Sequence, residues 1–397
     1  MRVLLDFKSP LLIGSKKRSH NFIESDEVIK GSVVRAAFSK VILDNCYERN
    51  EDDIVEVNGQ KKNNWVYFRD KQGCNGCQFN NICKSFSNIK FSYFYPKGAE
   101  IIPQTAMVCK TEEEHGFVDL LVDDTKSGCK DCDSRVEFPS GLRTTGENKK
   151  PYKVIKSIVT KNKINPYSKT SSDGMLYSVE MISSTPIEKY DLENSKEIQV
   201  DKSKLQYEGV IDGIAEKDLL LFRRLRVGGD ITTGLGKCNL LKLEEGEEKD
   251  LKSQDVEKFS EAYKAANNYK DLFNAEANYI AIKFIGDCIL DFDFDGEKFL
   301  STVDLKELWR KPLELDENIK IEKIYTEVVN YRGYDNSNVS EDKREKAVTL
   351  ISKGTVIVFS SEESVDYIFS YFKAKQKYGF GFENENGFGA FEIYLGR

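Results

Sequence analysis

Two stretches of the 397-residue chain end in the same way, and this repeat limits the folds that the sequence can adopt. Each runs from a helical pattern through a glycine-rich loop into a strand, and the loops share Gly234-Leu235-Gly236 and Gly387-Phe388-Gly389. Glycine permits backbone conformations that are closed to other residues. Two copies of a β-α-β-β-α-β unit, with antiparallel sheets and helices on one face, would produce the repeat. The sequence therefore predicts an α+β fold with two related sheets.

Apolar periodicity places elements in both copies. Residues 2–7 predict a strand, and apolar residues at helical spacing after Gly31-Ser32 predict a helix that ends near Asn45, with Ser32 as its N-cap. In the second copy, residues 279–284 predict a strand and residues 361–377 an amphipathic helix. These patterns give the following division: an N-terminal domain at 1–243, with an insertion at 46–150 and a hairpin at about 151–190; a charged helical linker at 244–275; and a C-terminal domain at 276–397.

Charge is unevenly distributed. The net charge is -7, which excludes a protein coated in basic residues, yet segment 141–170 has eight basic residues against one acidic residue. Aromatic and aliphatic residues alternate with lysines between 149 and 170, the combination that a groove for single-stranded RNA requires. A solvated hairpin would have the same composition, and both interpretations stay open.

A second cationic stretch combines arginines with glycines and threonines. Glycines allow close backbone approach to a phosphate, arginines supply paired donors, and hydroxyl groups add further donors. The spacing is not that of a P-loop, so nucleotide hydrolysis is not predicted. The alternative is a tight turn with solvated arginines. The candidate residues are Arg223, Arg224, Arg226, Gly228, Gly229, Thr232, Thr233, Gly234 and Lys237.

Cysteines predict a metal site. Six of the nine lie between Cys74 and Cys132, and the N-terminus lacks the layout of a signal peptide, so metal ligation is favoured over disulfides. Two ligand sets are possible. Cys109 and His115 could complete Cys129-x-x-Cys132, or Cys74-x-x-Cys77, with Cys83 nearby, could do so. Four protein ligands would make the zinc structural. Cys46, Cys238 and Cys288 are predicted to be core residues.

Candidates for catalysis are few. His20, beside Lys16, Lys17 and Arg18, could serve acid–base cleavage of RNA or contact phosphate, and Asp26 could hold magnesium. An endoribonuclease is therefore the alternative function, and a zinc-stiffened scaffold that binds only protein is another. No apolar stretch approaches the length of a membrane span, and we expect a soluble cytoplasmic protein.

Several motifs resemble the RAMP superfamily of CRISPR proteins. Ile29–Phe38 is similar to the start of that family's first helix, with Ala36 in place of the usual glycine, and the two glycine-rich loops resemble the family's loops. Four further stretches are similar to the subunit that holds the 5′-tag end of the guide RNA in subtype D type III effector complexes. They are residues 86–96, 103–110, 115–119 and 174–180. Residues 50–75 match nothing in the family.

The resemblance implies a non-enzymatic RNA-binding subunit with tandem ferredoxin-like folds, used in antiviral defence. It implies that the chain binds the 5′ tag of CRISPR RNA and docks to the large subunit and the backbone subunits. Gly31, Ser32 and Arg35 would lie at the RNA groove, and the loop from Arg223 to Lys237 would clamp phosphates. The hairpin would act as a thumb that separates guide nucleotides, with Lys161, Asn162, Lys163, Asn165 and Tyr167 as its candidate contacts.

Overall fold

The computed structural model describes most of the chain in ordered elements. The described residues are 1–14, 21–50, 54–57, 59–63, 65–112, 115–123, 128–129, 131–146, 149–183, 189–191, 196–198, 204–244, 251–267, 274, 276–290, 302–335, 337–340 and 343–396. Within them the helices are α1 Gly31–Asp44, α2 Asn80–Ser85, α3 Glu216–Leu219, α4 Ser253–Asn267, α5 Thr302–Arg310 and α6 Val365–Lys375. None of these helices is long and apolar enough to cross a bilayer.

Strands are more numerous than helices, and most are short. In chain order they are β1 Arg2–Phe7, β2 Phe22–Ile23, β3 Ile54–Val57, β4 Gln60–Asn63, β5 Lys90–Phe91, β6 Tyr95–Pro96, β7 Ala99–Ile101, β8 Ala106–Cys109, β9 Phe117–Asp119, β10 Val136–Glu137, β11 Leu142–Thr144, β12 Pro151–Tyr152, β13 Lys156–Ile164, β14 Ser171–Ile182, β15 Lys189–Asp191, β16 Lys196–Ile198, β17 Gln206–Asp212, β18 Arg224–Arg226, β19 Lys237–Lys242, β20 Asn278–Phe284, β21 Cys288–Ile289, β22 Lys320–Tyr325, β23 Val328–Tyr334, β24 Arg344–Ile351, β25 Val356–Ser361 and β26 Phe391–Tyr394. The mixed α+β class agrees with the prediction.

Contacts divide the chain into two units. The first comprises Met1–Lys97, Lys153–Glu245 and Asn336–Glu341, and the second comprises the remaining three segments, Gly98–Tyr152, Gly246–Asp335 and Asp342–Arg397. The predicted division differs, because it assigned the whole of 46–150 to the N-terminal domain. The physical reason is that β7 to β12 lie in the second unit, where the amide of Gln104 donates to the carbonyl of Gly354 at 2.8 Å.

The central sheets of the two units have the same strand order. In the first unit the order is β19-β1-β17-β5, with β18 beyond β19, and in the second it is β26-β20-β25-β22. In both, the strands numbered along the chain run fourth, first, third, second, and all neighbours are antiparallel. A helix lies between the first and second strands (α1, α5) and another between the third and fourth (α3, α6).

Apolar side chains on one face of β1 contribute to the core of the first unit. Val3, Leu5 and Phe7 share one face of β1, as the two-residue period of a strand requires, and they belong to one buried cluster with α1. Phe38 of α1 is fully buried there and stacks on Phe222 with ring centroids 4.1 Å apart. Burying a side chain of this size stabilises the fold by about 1.5–3 kcal/mol.

Helix α1 matches its predicted end but not its predicted start. Asn45 is the C-cap, as expected, whereas the N-cap is Lys30, and the helix begins at Gly31. The amide of Val33 donates to the carbonyl of Lys30, so Ser32 lies inside the first turn. The Ser32 cap was therefore wrong by two residues.

Helices α4 and α6 pack into the core of the second unit. Ile368 and Phe372 of α6 and Val256 of α4 lie in one buried cluster with Ile280, Ile282 and Phe284, which alternate along β20. Helix α6 begins at the N-cap Ser364, whose side chain accepts from the amide of Tyr367. The segment predicted as a charged linker thus contains a core helix, because Val256, Phe259 and Tyr263 form an apolar stripe on α4.

The glycine-rich loop of the first unit is closed by backbone hydrogen bonds. The amide of Val227 donates to the carbonyl of Gly236 at 2.9 Å, the amide of Gly229 to Leu12 at 2.7 Å, and the amide of Gly236 to Pro10 at 2.8 Å. A 3-10 turn at Ile231–Thr233 lies between two residues of positive φ, Asp230 and Gly234.

The second unit repeats this loop bond for bond. The amide of Phe380 donates to the carbonyl of Gly389 at 3.0 Å, that of Phe382 to Ile289 at 3.1 Å, and that of Gly389 to Asp287 at 2.8 Å. A 3-10 turn at Asn384–Asn386 again lies between residues of positive φ. The predicted repeat of the two glycine-rich loops is confirmed at the level of the backbone.

Candidate functional site

The glycine-rich loop, the hairpin and the segment after β1 form one continuous region of the first unit. Lys161 of β13 forms an ion pair with Asp230 of the loop. The same elements also share a small apolar cluster of Leu12, Val179 and Met181. Ile23, Tyr177 and Leu235 pack against it. The predicted hairpin and the predicted loop therefore meet, although about 70 residues separate Lys161 from Asp230.

Cationic side chains concentrate where β18 joins this loop. Arg224 and Arg226 lie on the exposed face of β18, because Leu225 between them is buried. Lys237 of β19 lies directly opposite Arg226 in the register of the antiparallel pair. Side chains at such positions lie on the same face, and two like charges there repel. Within the described residues, no carboxylate forms an ion pair with Arg224, Arg226 or Lys237.

Arg226 also stabilises the loop. Its Nη1 donates to the carbonyl oxygen of Ile231 at 2.7 Å, one residue beyond the carboxylate that pairs with Lys161. The hydroxyl of Thr233 donates to the carbonyl of Asp230 at 2.8 Å, and the side chain of Thr232 is exposed. Arg223 is exposed just before β18. The structure thus brings together Arg226, the threonines and Lys161 around a single turn.

The loop glycines have a structural role. A Cβ at Gly228 would lie 2.3 Å from the carbonyl oxygen of Leu12, and one at Gly236 would lie 1.9 Å from that of Val227. The amides of Gly229, Gly234 and Gly236 all donate to backbone carbonyls. Phosphate contacts at this loop would therefore come from side chains and not from these three amides.

The hairpin presents unusual exposed side chains. Tyr167 at the turn is 95 % exposed, and Ile158, Ile164 and Leu176 are each more than half exposed. The turn is nevertheless ordered, because the side chain of Asn165 accepts from the amide of Tyr167 at 2.9 Å. Lys163 and Asn162 are exposed beside it. An ordered turn with an outward aromatic ring and a lysine suits base stacking and phosphate contact.

Other predicted RNA contacts lie elsewhere. The guanidinium of Arg35 donates to the carbonyls of Ile89 at 2.8 Å and Phe86 at 2.9 Å, and it lies 4.9 Å from the centroid of the Phe86 ring. Gly31 and Ser32 form the first turn of the same helix. Their role in RNA binding stays a prediction.

The basic loop with Lys16, Lys17, Arg18 and His20 lies outside the described residues. Its described flanks belong to the site region: Gly14 pairs with Ser25, and the carbonyl of Asn21 accepts from the amide of Ser178 on β14. Asp26, the predicted magnesium ligand, accepts the amides of Glu27 and Val28 with its Oδ1 atom.

A compact thiol–imidazole cluster lies in the second unit. The ligand atoms of Cys109, His115, Cys129 and Cys132 are all within 4.8 Å of one another. Sulfur atoms of Cys109 and Cys132 are 3.5 Å apart, and Sγ of Cys129 is 3.4 Å from Nδ1 of His115. A hydrogen bond with Thr111 lowers the pKa of Cys109 to about 6, which favours the thiolate that binds metal. The cluster could hold one metal ion in tetrahedral coordination.

Local backbone structure assembles this cluster. Cys109 is the last residue of β8, and β10 pairs with it through Val136. The Cys-x-x-Cys loop closes when the amide of Cys129 donates to the carbonyl of Ser134 at 2.8 Å and the amide of Asp133 to that of Cys129 at 2.9 Å. Of the two predicted ligand sets, the structure assembles the one with Cys109 and His115. Cys74, Cys77 and Cys83 lie in the first unit and are not members of this group.

Sequence reasoning missed the connecting residues. Asp230 pairs with Lys161, and Leu12 and Leu235 pack with residues of the hairpin, yet none of the three was named as a candidate residue. The available signal for Asp230 was its position as an acidic residue shortly after the three arginines at 223, 224 and 226. Leu12 carried none, because its place depends on the long-range approach of three segments.

Comparisons with known proteins give neighbours among solved structures only. No protein-family model matches the sequence, and no curated protein is significantly similar to it. A chain from a type III-B Cmr-beta structure, bound to cognate target RNA and AMPPnP, shares 13% identity over 95% of this chain and 91% of its own, with a TM-score of 0.44.

Two further neighbours are a chain of the Csm3-Csm4 subcomplex from a type III-A CRISPR-Cas interference complex and a CRISPR associated protein Cas6. The first shares 12% identity over 90% of this chain and 92% of its own, with a TM-score of 0.35. The second shares 10% identity over 99% of both chains, with a TM-score of 0.28. The solved structures to which this chain is similar thus include chains of type III CRISPR complexes.

Proposed function

We propose that this chain is a non-catalytic, RNA-binding subunit of a type III CRISPR effector complex that holds the 5′ tag of the CRISPR RNA. In this proposal each unit is a ferredoxin-like domain, which the shared strand order supports. The sequence resemblance to the tag-binding RAMP subunit supplies the identity of the RNA and of the partners. These partners are the large subunit and the backbone subunits.

The observation that carries the proposal is the cross-strand pair of Arg226 and Lys237, with Arg224 beside it. Two cations in register, with no carboxylate paired to either within the described residues, cost free energy in the absence of a ligand, and a phosphate placed between them offsets that cost. Arg226 donates a hydrogen bond to Ile231 in the turn of the loop. The ion pair of Lys161 and Asp230 joins this turn to the hairpin. An RNA strand whose phosphates contact β18 and β19 would therefore bind the same unit that carries the exposed side chains of the hairpin.

Salt dependence tests the phosphate contacts. If about five phosphates are neutralised, the log–log slope of affinity against salt should be about -3.5, since single strands contribute about -0.7 per contact. Arg226→Ala should flatten the slope by about 0.7, and Lys40→Ala should not change it. Lys40 is a suitable control because it is an exposed lysine of the same unit, paired with Asp44 on α1. Fluorescence anisotropy with labelled tag RNA gives both slopes. Equal slopes for the wild type and Arg226→Ala would contradict the proposal.

The absence of catalysis is part of the proposal and needs its own experiment. Repeat RNA is incubated with the full chain, with and without magnesium, and the products are separated on a gel. We expect intact RNA under both conditions. Cleavage that disappears in Asp26→Ala or His20→Ala would replace the proposal with an endoribonuclease.

We also propose that the cluster of Cys109, His115, Cys129 and Cys132 binds zinc in a structural role. Three thiolates and one imidazole are a common ligand set for tetrahedral structural zinc, and four protein ligands leave no position open for a substrate. When bound, the ion would cross-link the end of β8 to the loop that carries Cys129 and Cys132. Its expected contribution is to the stability of the second unit.

A further inference from the structure

Four other cysteines surround a cavity in the first unit. Cys46, Cys74, Cys77 and Cys83 all line it, together with Arg69 and Asn80. The sequence predicted Cys46 as a core residue and offered the other three as possible partners of Cys129 and Cys132. Unlike the buried Cys238 and Cys288, these four thiols are partly exposed. Cys77 and Cys83 also pack against the apolar core of the first unit, but all four side chains line the same cavity.

Three separate elements bring the thiols together. Cys46 follows the C-cap of α1, Cys74 ends the 3-10 turn Gln72–Cys74, and Cys83 lies on α2. Cys77 lies between the last two, in a turn where its amide donates to the carbonyl of Cys74 at 3.2 Å. A Cys-x-x-Cys turn followed by a ligand on a short helix is a familiar arrangement in structural zinc sites.

Hydrogen bonds outside the thiols hold these elements in place. The carboxylate of Glu48, two residues after Cys46, accepts from the amide of Gly73, which precedes Cys74, at 2.8 Å. The side chain of Asn80 donates to the carbonyl of Cys74 at 2.5 Å. Both bonds join the Cys74 turn to neighbouring segments without involving a sulfur atom.

The charge of the surroundings suits a thiolate cluster. The guanidinium of Arg69 donates to Sγ of Cys46 at 3.7 Å. Four thiolates around one divalent cation carry a net charge of about -2, and a neighbouring guanidinium lowers the cost of that charge, as hydrogen-bonding groups around metal ligands commonly do. Among the described residues, Arg69 is the cation that lines this cavity.

We propose that Cys46, Cys74, Cys77 and Cys83 bind a second zinc ion, separate from the one at Cys109, His115, Cys129 and Cys132. The thiols stand around the cavity and are not in mutual contact, so the ion would draw their sulfur atoms inwards to the usual Zn–S distance of about 2.3 Å. This site would fasten the segment after α1 to α2, near the packing of α2 against the first core. The inference does not depend on RNA binding.

Metal content of the full chain tests the proposal. Protein expressed with added zinc should contain two zinc ions per chain by inductively coupled plasma mass spectrometry. Cys46→Ser and Cys109→Ser should each contain one, the combined variant none, and the control Cys288→Ala two. Retention of two ions by Cys46→Ser, or loss of all zinc in Cys109→Ser, would overturn the proposal.

X-ray absorption of the wild-type protein decides the matter if a variant fails to fold. The two sites together supply seven sulfur ligands and one nitrogen ligand. The zinc spectrum should fit this ratio with Zn–S distances of about 2.3 Å. A ratio of three sulfurs to one nitrogen, or a disulfide among the four cysteines found by non-reducing mass spectrometry, would overturn the second site.

Discussion

Replacing Gly236 with alanine should destabilise the first unit far more than the same change at Gly234, two residues earlier. Both residues have positive φ, +68° at Gly236 and +102° at Gly234, so alanine is strained at both. They differ in their surroundings. A Cβ at Gly236 would lie 1.9 Å from the carbonyl oxygen of Val227, whereas one at Gly234 would have nothing within 4 Å.

The expected magnitudes follow from these distances. A left-handed alanine costs about 1–2 kcal/mol, and this is the whole effect predicted for Gly234→Ala. At Gly236 the backbone must also move away from Val227, which breaks the two hydrogen bonds that Gly236 makes with Val227 and Pro10. Each such bond contributes about 0.5–1.5 kcal/mol, so Gly236→Ala should cost about 2–5 kcal/mol in total.

Tryptophan fluorescence can report on each unit separately. The chain has two tryptophans, and Trp65 lies in the first unit while Trp309 lies in the second. With Trp309→Phe as background, Gly236→Ala should lower the urea midpoint of Trp65 by about 1 M or more, given usual slopes of about 1–3 kcal/mol per M. In a Trp65→Phe background, the equivalent Gly389→Ala, whose Cβ would lie 1.7 Å from the carbonyl oxygen of Phe380, should instead lower the midpoint reported by Trp309. Equal shifts for Gly234→Ala and Gly236→Ala would refute the reasoning.

Three further predictions concern single side chains. Tyr167→Ala should weaken binding of tag RNA by about 1–3 kcal/mol with no change in stability, because the ring is 95 % exposed and free to stack. Fluorescence anisotropy measures the affinity, with Tyr167→Phe as the control. Equal affinities for the wild type and both variants would reject stacking. Arg35→Ala should destabilise the first unit by about 1.5–3 kcal/mol, since its charged donors hold two carbonyls; an unchanged Trp65 transition would contradict that role. Cys132→Ser should lower the melting temperature reported by Trp309 when zinc is present and have little effect on zinc-free protein. The reason is that a ligand that binds only the native state stabilises that state. Equal effects of the substitution with and without zinc would speak against a zinc site.

Short sequence patterns were sufficient to predict several elements of the structure. The mostly apolar residues 2–7 predict β1, and the paired glycines predict two loops whose hydrogen bonds proved equivalent. Cys129-x-x-Cys132 predicts a metal-binding turn because its spacing alone sets the geometry. In each case the residues that form the predictive pattern are close together in the sequence, although the first loop also bonds to Pro10 and Leu12.

Features that depend on distant segments could not be predicted. The pairing of Lys161 with Asp230 needs the hairpin to pack on the glycine-rich loop, and no sequence pattern specifies that contact. Residues 98–152 carry no period that assigns them to the second unit. Cys46 lies 28 positions before Cys74, and only the folded chain places both on one cavity.

Crosslinking of tag RNA to the full chain tests the central claim most directly. RNA with photoreactive thiouridines in the 5′ tag is bound, irradiated and digested, and the crosslinked peptides are identified by mass spectrometry. The proposed site predicts crosslinks to the hairpin turn at 165–170 and to the loop at 228–237. Crosslinks confined to peptides of the second unit would contradict it.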